Sequence, residues 1–338
     1  MRHPTRTLIS SLAVVAVLAL AACGSSSSSG TSAAKLNIAF LPKQVNNPYF
    51  DTAAAGGQKA ATALGGKFSQ TGPSSANAAA QVPYIQTLTQ QQVSAIVISG
   101  DDPTAVAPSL KQAISKGIKV VSYDSDVEPD ARQVFVNQAN SQDLGTTEVD
   151  LLGQELNYTG EIAVLSASAT ATNQNTWIQF MKQELATSKF ANMKLDAVVY
   201  GNDDDTTSYN MTQQLIQSYP NLKGIISPTT VGIAAAARYL DTNHLSGKIQ
   251  LTGLGTPNSM RQYVKDGTVT AFELWNVSDL GYLAYYAAAA LVQGKITGKQ
   301  GDTFTAGSLG SFTVGANGEV LLGKPFVFNA SNIDQLNF

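Results

Sequence analysis

Polar and aromatic side chains follow several strand-like segments of this chain, and they are the residues best suited to chemistry. Lys43 comes shortly after an apolar run at 36–41, and Asp124 comes directly after IKVVSY. In open parallel sheets, ligands bind beyond the carboxyl ends of the strands. Carboxylates and amides there can make paired hydrogen bonds to hydroxyl groups, and an aromatic ring can pack on the C–H face of a sugar. The pattern predicts a site for a polyhydroxylated ligand, formed by Lys43, Asn47, Phe50, Asp101, Asp124, Asp126, Asn173, Gln174, Trp177, Pro228, Thr230, Asn258, Trp275 and Asn276.

Structural roles remain open for several of these residues. Aspartate and asparagine after a strand commonly cap the next helix, and this role suits Asp102 and Asn173. A solvated loop position is the alternative for Asp101 and Asp126. A position in the core of a lobe is the alternative for Tyr49, Phe50 and Trp177.

The sequence contains no recognisable catalytic or metal-binding motif. A Walker A sequence, a G-x-S-x-G elbow and an H-E-x-x-H pair are all missing. Because His244 is the only histidine beyond residue 3 and Cys23 is the only cysteine, a His/Cys zinc site and a Cys-His nucleophile pair are excluded. The run Asp203-Asp204-Asp205 lacks the spaced ligands of an EF-hand loop, so we interpret it as solvated. We therefore expect a binding protein without cofactor or metal.

Alternating strand-like and helix-like segments would position the candidate site. Strands are predicted at 36–41, 94–99, 118–123, 133–137, 161–166, 195–200, 224–227, 249–253 and 270–274. Helices are predicted at about 47–65, 103–116, 141–156, 174–187, 206–218, 231–243, 257–266 and 279–292. This alternation predicts parallel sheets covered on both faces, and its repetition predicts two similar α/β lobes. The segments 312–314, 320–322 and 325–328 are short extended pieces around Asn317-Gly318, a hairpin-type turn signal.

The amino terminus has the features of a lipoprotein leader. Two arginines precede an apolar run at 8–22 that ends in Leu-Ala-Ala directly before Cys23. A positive segment, an apolar segment and small residues before the cut describe a secretory signal, and the following cysteine completes a lipobox. We therefore expect 1–22 to be a signal peptide and 23–35 to be a lipidated cysteine with a flexible tether. The protein would then be extracytoplasmic, with the membrane as a partner through its lipid.

Composition limits the other partners. After removal of the leader, 19 basic and 24 acidic side chains remain, and no basic block is present. Nucleic acid is therefore excluded as a partner. The remaining length of about 300 residues allows two domains.

Longer segments carry a family resemblance. The segments NIAFLPKQVNNPYF, VVSYDSD, FVNQ, TNQNTW, SPTTVGIAAAARYL and GLGTPNSMRQYVKDGTV resemble those of the periplasmic sugar-binding proteins of ABC importers. Among these proteins the chain resembles the ribose-binding type, and within that type it is most similar to the rhamnose-binding and autoinducer-2-binding proteins. The resemblance covers about 36–338. It implies two doubly wound lobes that close over a ligand by hinge motion. It also implies that the protein is a monomer and that its closed form docks on an ABC permease.

The resemblance also implies domain boundaries and a site. The first lobe would span 36–136 plus 277–305 and the second 137–276 plus 306–338, with hinge crossings at 135–138 and 275–277. The autoinducer-2 receptors have a lysine, an aspartate, an Asp-Gln pair, a proline and an alanine at positions that match Lys43, Asp124, Asn173-Gln174, Pro228 and Thr230. This chain has Asn173 in place of the aspartate of the pair and Thr230 in place of the alanine. These two differences favour rhamnose or a similar deoxyhexose as the ligand. An autoinducer-2 receptor for uptake or signalling is the alternative, and a sugar-modifying enzyme on the same fold is a third hypothesis.

Overall fold

The computed structural model describes residues 35–338. The predicted signal peptide and the lipidation site at Cys23 lie outside the described residues. The strands are β1 Asn37–Leu41, β2 Lys67–Gln70, β3 Ala95–Ile98, β4 Lys119–Tyr123, β5 Val134–Asn137, β6 Thr159–Ser166, β7 Asn192–Tyr200, β8 Leu222–Ser227, β9 Gln250–Gly253, β10 Ala271–Leu274, β11 Thr303–Thr305, β12 Ser311–Thr313, β13 Glu319–Leu321 and β14 Phe326–Asn329. The helices are α1 Pro48–Leu64, α2 Ala78–Gln90, α3 Pro103–Ser115, α4 Ser141–Glu155, α5 Thr172–Leu185, α6 Asp205–Ser218, α7 Thr230–Thr242, α8 Pro257–Lys265 and α9 Val277–Val292.

Two sheets with the same winding form two lobes. The first has the order β13-β5-β4-β3-β1-β2, and all its pairings are parallel. The second has the order β7-β6-β8-β9, also parallel, and is extended by β10 through a parallel bridge between Leu254 and Glu273. In each sheet the second strand lies outside the first, so the winding direction reverses beside the first strand, where ligands bind in such sheets. The predicted fold of two doubly wound α/β lobes is confirmed.

The chain passes between the lobes three times. It leaves the first sheet after β5 and enters α4, which packs on β8, β9 and β10. It returns between β10 and α9, because α9 packs on α1 and on β3, β4 and β5. The third passage lies between β13, which pairs with β5, and β14, which pairs antiparallel with β10.

The carboxyl-terminal tail corrects two predictions. The prediction that all of 306–338 belongs to the second lobe is wrong, because β13 is the edge strand of the first sheet and the third passage therefore lies at 322–325. The turn at Asn317-Gly318 exists, and both residues have positive φ. Its flanking strands do not form a hairpin with each other, however, because β12 pairs with β11 and β13 pairs with β5.

Two strands, β2 and β11, and one helix, α2, are missing from the predicted elements. The β2 segment KFSQ is short and alternates exposed with half-buried residues at the edge of the sheet. Helix α2 contains Pro83 and many glutamines and threonines, so its apolar periodicity is weak. Proline inside a helix removes a backbone hydrogen bond and usually argues against a helix.

Helix α9, predicted as a helix at 279–292, is the central buried helix of the first lobe. It packs against α1 through glycines that allow the two backbones to touch. A Cβ atom on Gly56 would lie 1.8 Å from the carbonyl oxygen of Ser278, and one on Gly281 would lie 1.8 Å from that of Ala53. Any larger side chain at either position would force the helices apart. Between residues 35 and 338, no helix is long and apolar enough to cross a membrane.

Two glutamates are buried in the second lobe. Glu148 on α4 and Glu273 on β10 are fully buried, and none of their carboxyl oxygens has a hydrogen-bond partner within the described residues. Burial raises the pKa of both carboxyls well above the ordinary value, and the charge of Glu148 raises the pKa of Glu273 further. The folded protein therefore favours the protonated form of both groups.

This burial predicts a pH dependence of stability. In the unfolded chain the glutamates ionise near their ordinary pKa of 4.5, whereas the folded protein keeps its protons to higher pH. Stability is therefore lost as the pH rises from about 4.5 towards the raised pKa, by up to about 1.4 kcal/mol per pH unit for each group. We expect Glu273→Gln to melt at a higher temperature than the wild type at pH 8 and to show a smaller difference at pH 5. The exposed Asp241→Asn is the control, and an equal shift at both pH values would contradict the prediction.

Candidate ligand-binding site

A cavity of about 40 Å³ lies between the lobes at the carboxyl ends of both parallel sheets. Of the predicted site residues, those that line it are Lys43, Asn47, Phe50, Asp124, Asn173, Gln174, Trp177, Pro228, Thr230 and Trp275. The other lining residues are Tyr49, Asp203, Thr229, Leu254 and Leu274. The structure thus brings together most of the residues that the sequence singled out, and it adds a carboxylate, the hydroxyl groups of a tyrosine and a threonine, and two leucines.

Asp124 is the most densely hydrogen-bonded group of the cavity. Its carboxylate accepts from Ser99 Oγ at 2.6 Å, from Tyr49 OH at 3.0 Å and from Asn173 Nδ2 at 3.3 Å. Its φ is +60°, a left-handed conformation that few residues other than glycine adopt, although aspartate is among those that tolerate it. The turn after β4 therefore directs this carboxylate into the cleft.

Lys43 links the two lobes. Its Nζ lies 3.8 Å from Asp124 Oδ2, and both side chains are almost fully buried, at 4% and 7% exposure. The same Nζ is 3.5 Å from Oδ1 of Asn173, which belongs to α5 of the second lobe. Lys43, Asp124 and Asn173 therefore contact one another across the cleft, and this closed triangle explains why the cavity between them is small.

Asp203 is a site residue that the sequence analysis missed, and its interpretation as a solvated loop residue is wrong. It follows β7, is half-buried and accepts a hydrogen bond from Thr229 Oγ1. Burial raises the pKa of its carboxyl, and the nearby Lys43 charge opposes that rise. Its position after a strand end was the available signal. The neighbouring Asp204 instead caps α6 by accepting from Thr207 N at 2.7 Å.

Asp101 is a predicted site residue that does not line the cavity. Its side chain is buried, and Oδ2 has no hydrogen-bond partner among residues 35–338. Burial raises the pKa of Asp101 to about 7, and the charge of Lys43 opposes this rise. Asp101 therefore contributes to the electrostatic surroundings of Lys43 without lining the cavity.

Four aromatic rings form the apolar wall. Trp275 Nε1 donates to Tyr49 OH at 3.2 Å, and the Trp275 ring lies 6.0 Å from that of Trp177. Phe50 packs edge-on against Tyr49 at 5.1 Å. Trp177 is 2% exposed, yet its Nε1 has no partner within the described part of the chain. Because an unpaired buried donor costs about 1–3 kcal/mol, a ligand acceptor at this position would be stabilising.

Helix starts hold the remaining lining residues in place. Asn47 caps α1 by accepting from Tyr49 N at 3.0 Å. Gln174 Oε1 accepts from Ser166 Oγ at 2.6 Å and from Ala167 N at 2.8 Å, which ties its amide to the end of β6. Pro228 and Thr230 lie where β8 turns into α7.

Three other predicted site residues have structural roles outside the cavity. Asp126 accepts from Arg132 Nε at 2.6 Å and from Nη2 at 2.7 Å. Asn258 is exposed at the start of α8 and accepts from Arg261, because α8 turns it away from the cleft. Asn276 caps α9 by accepting from Asp279 N at 3.1 Å.

Of the two helix caps suggested by the sequence, Asp102 and Asn173, only the first is observed. Asp102 caps α3 by accepting from Thr104 N and Ala105 N, as predicted. Asn173 does not cap α5, because the cap position is Ala171 and the Asn173 side chain instead contacts Lys43 and Asp124.

Comparison with known proteins shows the family. A model of the periplasmic binding protein domain matches residues 38–296. The chain belongs to the periplasmic binding protein family. A sugar ABC transporter structure from Actinomyces odontolyticus is 46% identical, with a TM-score of 0.73, over 91% of this chain and 99% of that one.

Two further solved relatives carry ligands. A solute-binding protein from Clostridium phytofermentas with bound L-rhamnose is 38% identical, with a TM-score of 0.87, over 90% of this chain and 98% of that one. A Clostridium saccharobutylicum protein in complex with autoinducer-2 is 27% identical, with a TM-score of 0.85, over 89% of this chain and 99% of that one. Among curated proteins, the D-ribose/D-allose-binding protein of Pseudomonas aeruginosa is 22% identical over 78% of this chain and 85% of its own length. This chain is therefore a solute-binding protein of the sugar ABC transporter type.

The buried ion pair of Asp126 and the exposed ion pair of Asp130 should respond differently to substitution. Asp126→Ala leaves Arg132, whose side chain is 4% exposed, without its carboxylate partner. We expect a loss of about 3–5 kcal/mol in the free energy of unfolding, as for broken buried pairs. Asp130→Ala, which breaks a pair between Lys111 and an Asp130 side chain that is 70% exposed, should cost less than about 1 kcal/mol. Chemical denaturation measures both, and equal losses would contradict the structural role of Asp126.

Proposed function

We propose that this protein binds a monosaccharide, L-rhamnose or a similar deoxyhexose, between its lobes and delivers it to an ABC permease. The observation that carries the proposal is the cross-lobe triangle of Lys43, Asp124 and Asn173 beside an aromatic wall. The 38% identity to a protein that holds L-rhamnose supports the choice of sugar.

The cavity offers complementary groups for such a sugar. Carboxylates of Asp124 and Asp203 accept hydrogen bonds from hydroxyl groups, and Lys43 and Trp177 Nε1 donate to them. Leu254 and Leu274 supply an apolar surface that suits the methyl group of a deoxyhexose. Sugar hydroxyls entering the open cleft would replace the direct contact between Lys43 and Asn173. Lobe closure over the ligand would then bury these groups with their partners satisfied.

Autoinducer-2 is the second candidate ligand. The support is the 27% identical protein that holds it and the match of Lys43, Asp124, Gln174 and Pro228 to that branch. Asn173 and Thr230 depart from the pattern by removing a carboxylate and adding a hydroxyl and bulk. Both residues line the cavity, so they would alter the fit of a small furanosyl ligand.

We further propose binding without catalysis. Asp124, the central carboxylate, is engaged by Ser99, Tyr49, Asn173 and Lys43. Asp126, which could have formed an acid–base pair with it, is bound to Arg132. These partners favour fixed acceptors over groups that exchange protons with a substrate.

Titration calorimetry tests the ligand and the site together. We expect L-rhamnose to bind at one site per chain. Asn173→Ala should weaken binding about 10-fold, because it would leave a sugar hydroxyl group without its partner in a buried cleft, which costs roughly 1–3 kcal/mol. Asn175→Ala is the matched control, since it lies on the same helix and donates to the Ala169 carbonyl instead. Binding of autoinducer-2 without binding of any deoxyhexose would show that autoinducer-2 is the ligand. Equal affinities of the Asn173→Ala and Asn175→Ala variants would show that Asn173 does not contact the ligand.

Membrane attachment through Cys23 is the remaining part of the proposal. The support is the lipobox and the serine-rich tether that follows it. Cys23→Ser should move the protein from the detergent phase to the aqueous phase in detergent partitioning of cell extracts. A variant that still partitions with detergent would show that the cysteine does not carry the anchor.

A further inference from the structure

A second cavity adjoins the first at the outer side of the cleft. Its volume is about 390 Å³, and the size falls within the range of small-molecule sites. The two cavities have Asn47, Asp203 and Thr230 in common. The inner cavity, by contrast, measures about 40 Å³, so the larger space lies directly outside the residues that would hold a sugar.

Both lobes supply the wall of this outer cavity. Gln44 and Ser74 come from the first lobe, and Thr256 and Ser259 come from the second. Gln44 bridges the lobes, because its Nε2 donates to the Asp203 carbonyl oxygen at 3.0 Å and its Oε1 accepts from Ala76 N at 3.0 Å. The cavity is therefore formed only when the lobes are closed, as a ligand subsite of the cleft would be.

The chemistry of the wall suits a hydroxylated group without negative charge. Amides and hydroxyls alternate with the apolar surfaces of Pro48, Val231 and Ala234. Three consecutive aspartates, 203–205, make the cavity acidic, although Asp204 caps α6 and Asp205 pairs with Arg238. Like charges across an interface are strongly unfavourable, so an anionic group would be rejected.

We propose that the outer cavity is a subsite for a second, neutral sugar unit, and that the protein accepts a rhamnosyl disaccharide as well as the free sugar. This inference rests on the proposed function, because the inner cavity must hold the rhamnosyl unit. The second unit would reach the outer cavity past Asn47, Asp203 and Thr230, the residues that both cavities share.

The experiment compares three ligands by titration calorimetry on the full chain. The ligands are L-rhamnose, the neutral disaccharide rutinose (rhamnosyl-glucose) and a rhamnosyl-glucuronic acid. We expect rutinose to bind within about 3-fold of L-rhamnose or more tightly, and the uronic acid to bind about 10-fold more weakly. Binding of L-rhamnose with no binding of rutinose would overturn the subsite and leave the proposed function intact. No binding of L-rhamnose would instead refute the proposed sugar and, with it, this inference.

A filled cavity provides the second test. Ala234 lines the outer cavity but not the inner one. Ala234→Trp should weaken rutinose binding about 10-fold while changing L-rhamnose affinity by less than about 2-fold. Ala55→Trp, at an exposed position of α1, is the control. Ser259→Trp fills the same cavity from α8 if the first variant is unstable by thermal melting. Equal effects on both ligands would show that the outer cavity is not a subsite.

Discussion

The buried charge of Lys43 is the constraint on which the cleft depends. A lysine that is 4% exposed needs an anionic partner, because an unpaired ammonium in the interior costs several kcal/mol. Asp124 provides that partner only because β1 and β4 end at the same edge of one parallel sheet and because the turn after β4 adopts a positive φ. Asn173 then completes the arrangement from the other lobe, so contacts between the two lobes satisfy the polar groups of the cleft.

The rest of the fold holds these strand ends in place. The same winding in both lobes puts their ligand-binding edges face to face, and three passages of the chain connect them. Close contact between α1 and α9 at Gly56 and Gly281 fixes the helix that begins just after Asn47. In the second lobe, the buried Glu273 precedes Leu274 and Trp275, which line the cavity. That carboxyl thus lies on the strand that leads into the site.

We attribute ligand specificity in this cleft to its two parts. The inner cavity is narrow and contains the polar groups of Lys43, Asp124 and Asp203, to which we attribute the recognition of hydroxyl groups. The outer cavity is wider and is lined by amides, hydroxyls and the acidic 203–205 run. Asp203 belongs to both, and its hydrogen bond from Thr229 holds it at their boundary. Under the proposals above, the inner part would set the orientation of the ligand and the outer part would limit its size, with Asn47, Asp203 and Thr230 common to both.

The sequence by itself determined the fold class, most helices and strands, and ten of the residues that line the cavity. It could do so because strand–helix alternation specifies parallel sheets, and because such sheets bind ligands at their carboxyl ends. Local patterns did not distinguish Asp124 from Asp126, since the two aspartates differ only in whether their turn directs them to the cleft or to Arg132. The roles of Asp203 and β13 likewise depended on contacts with residues far away in the chain, which only the tertiary structure decides.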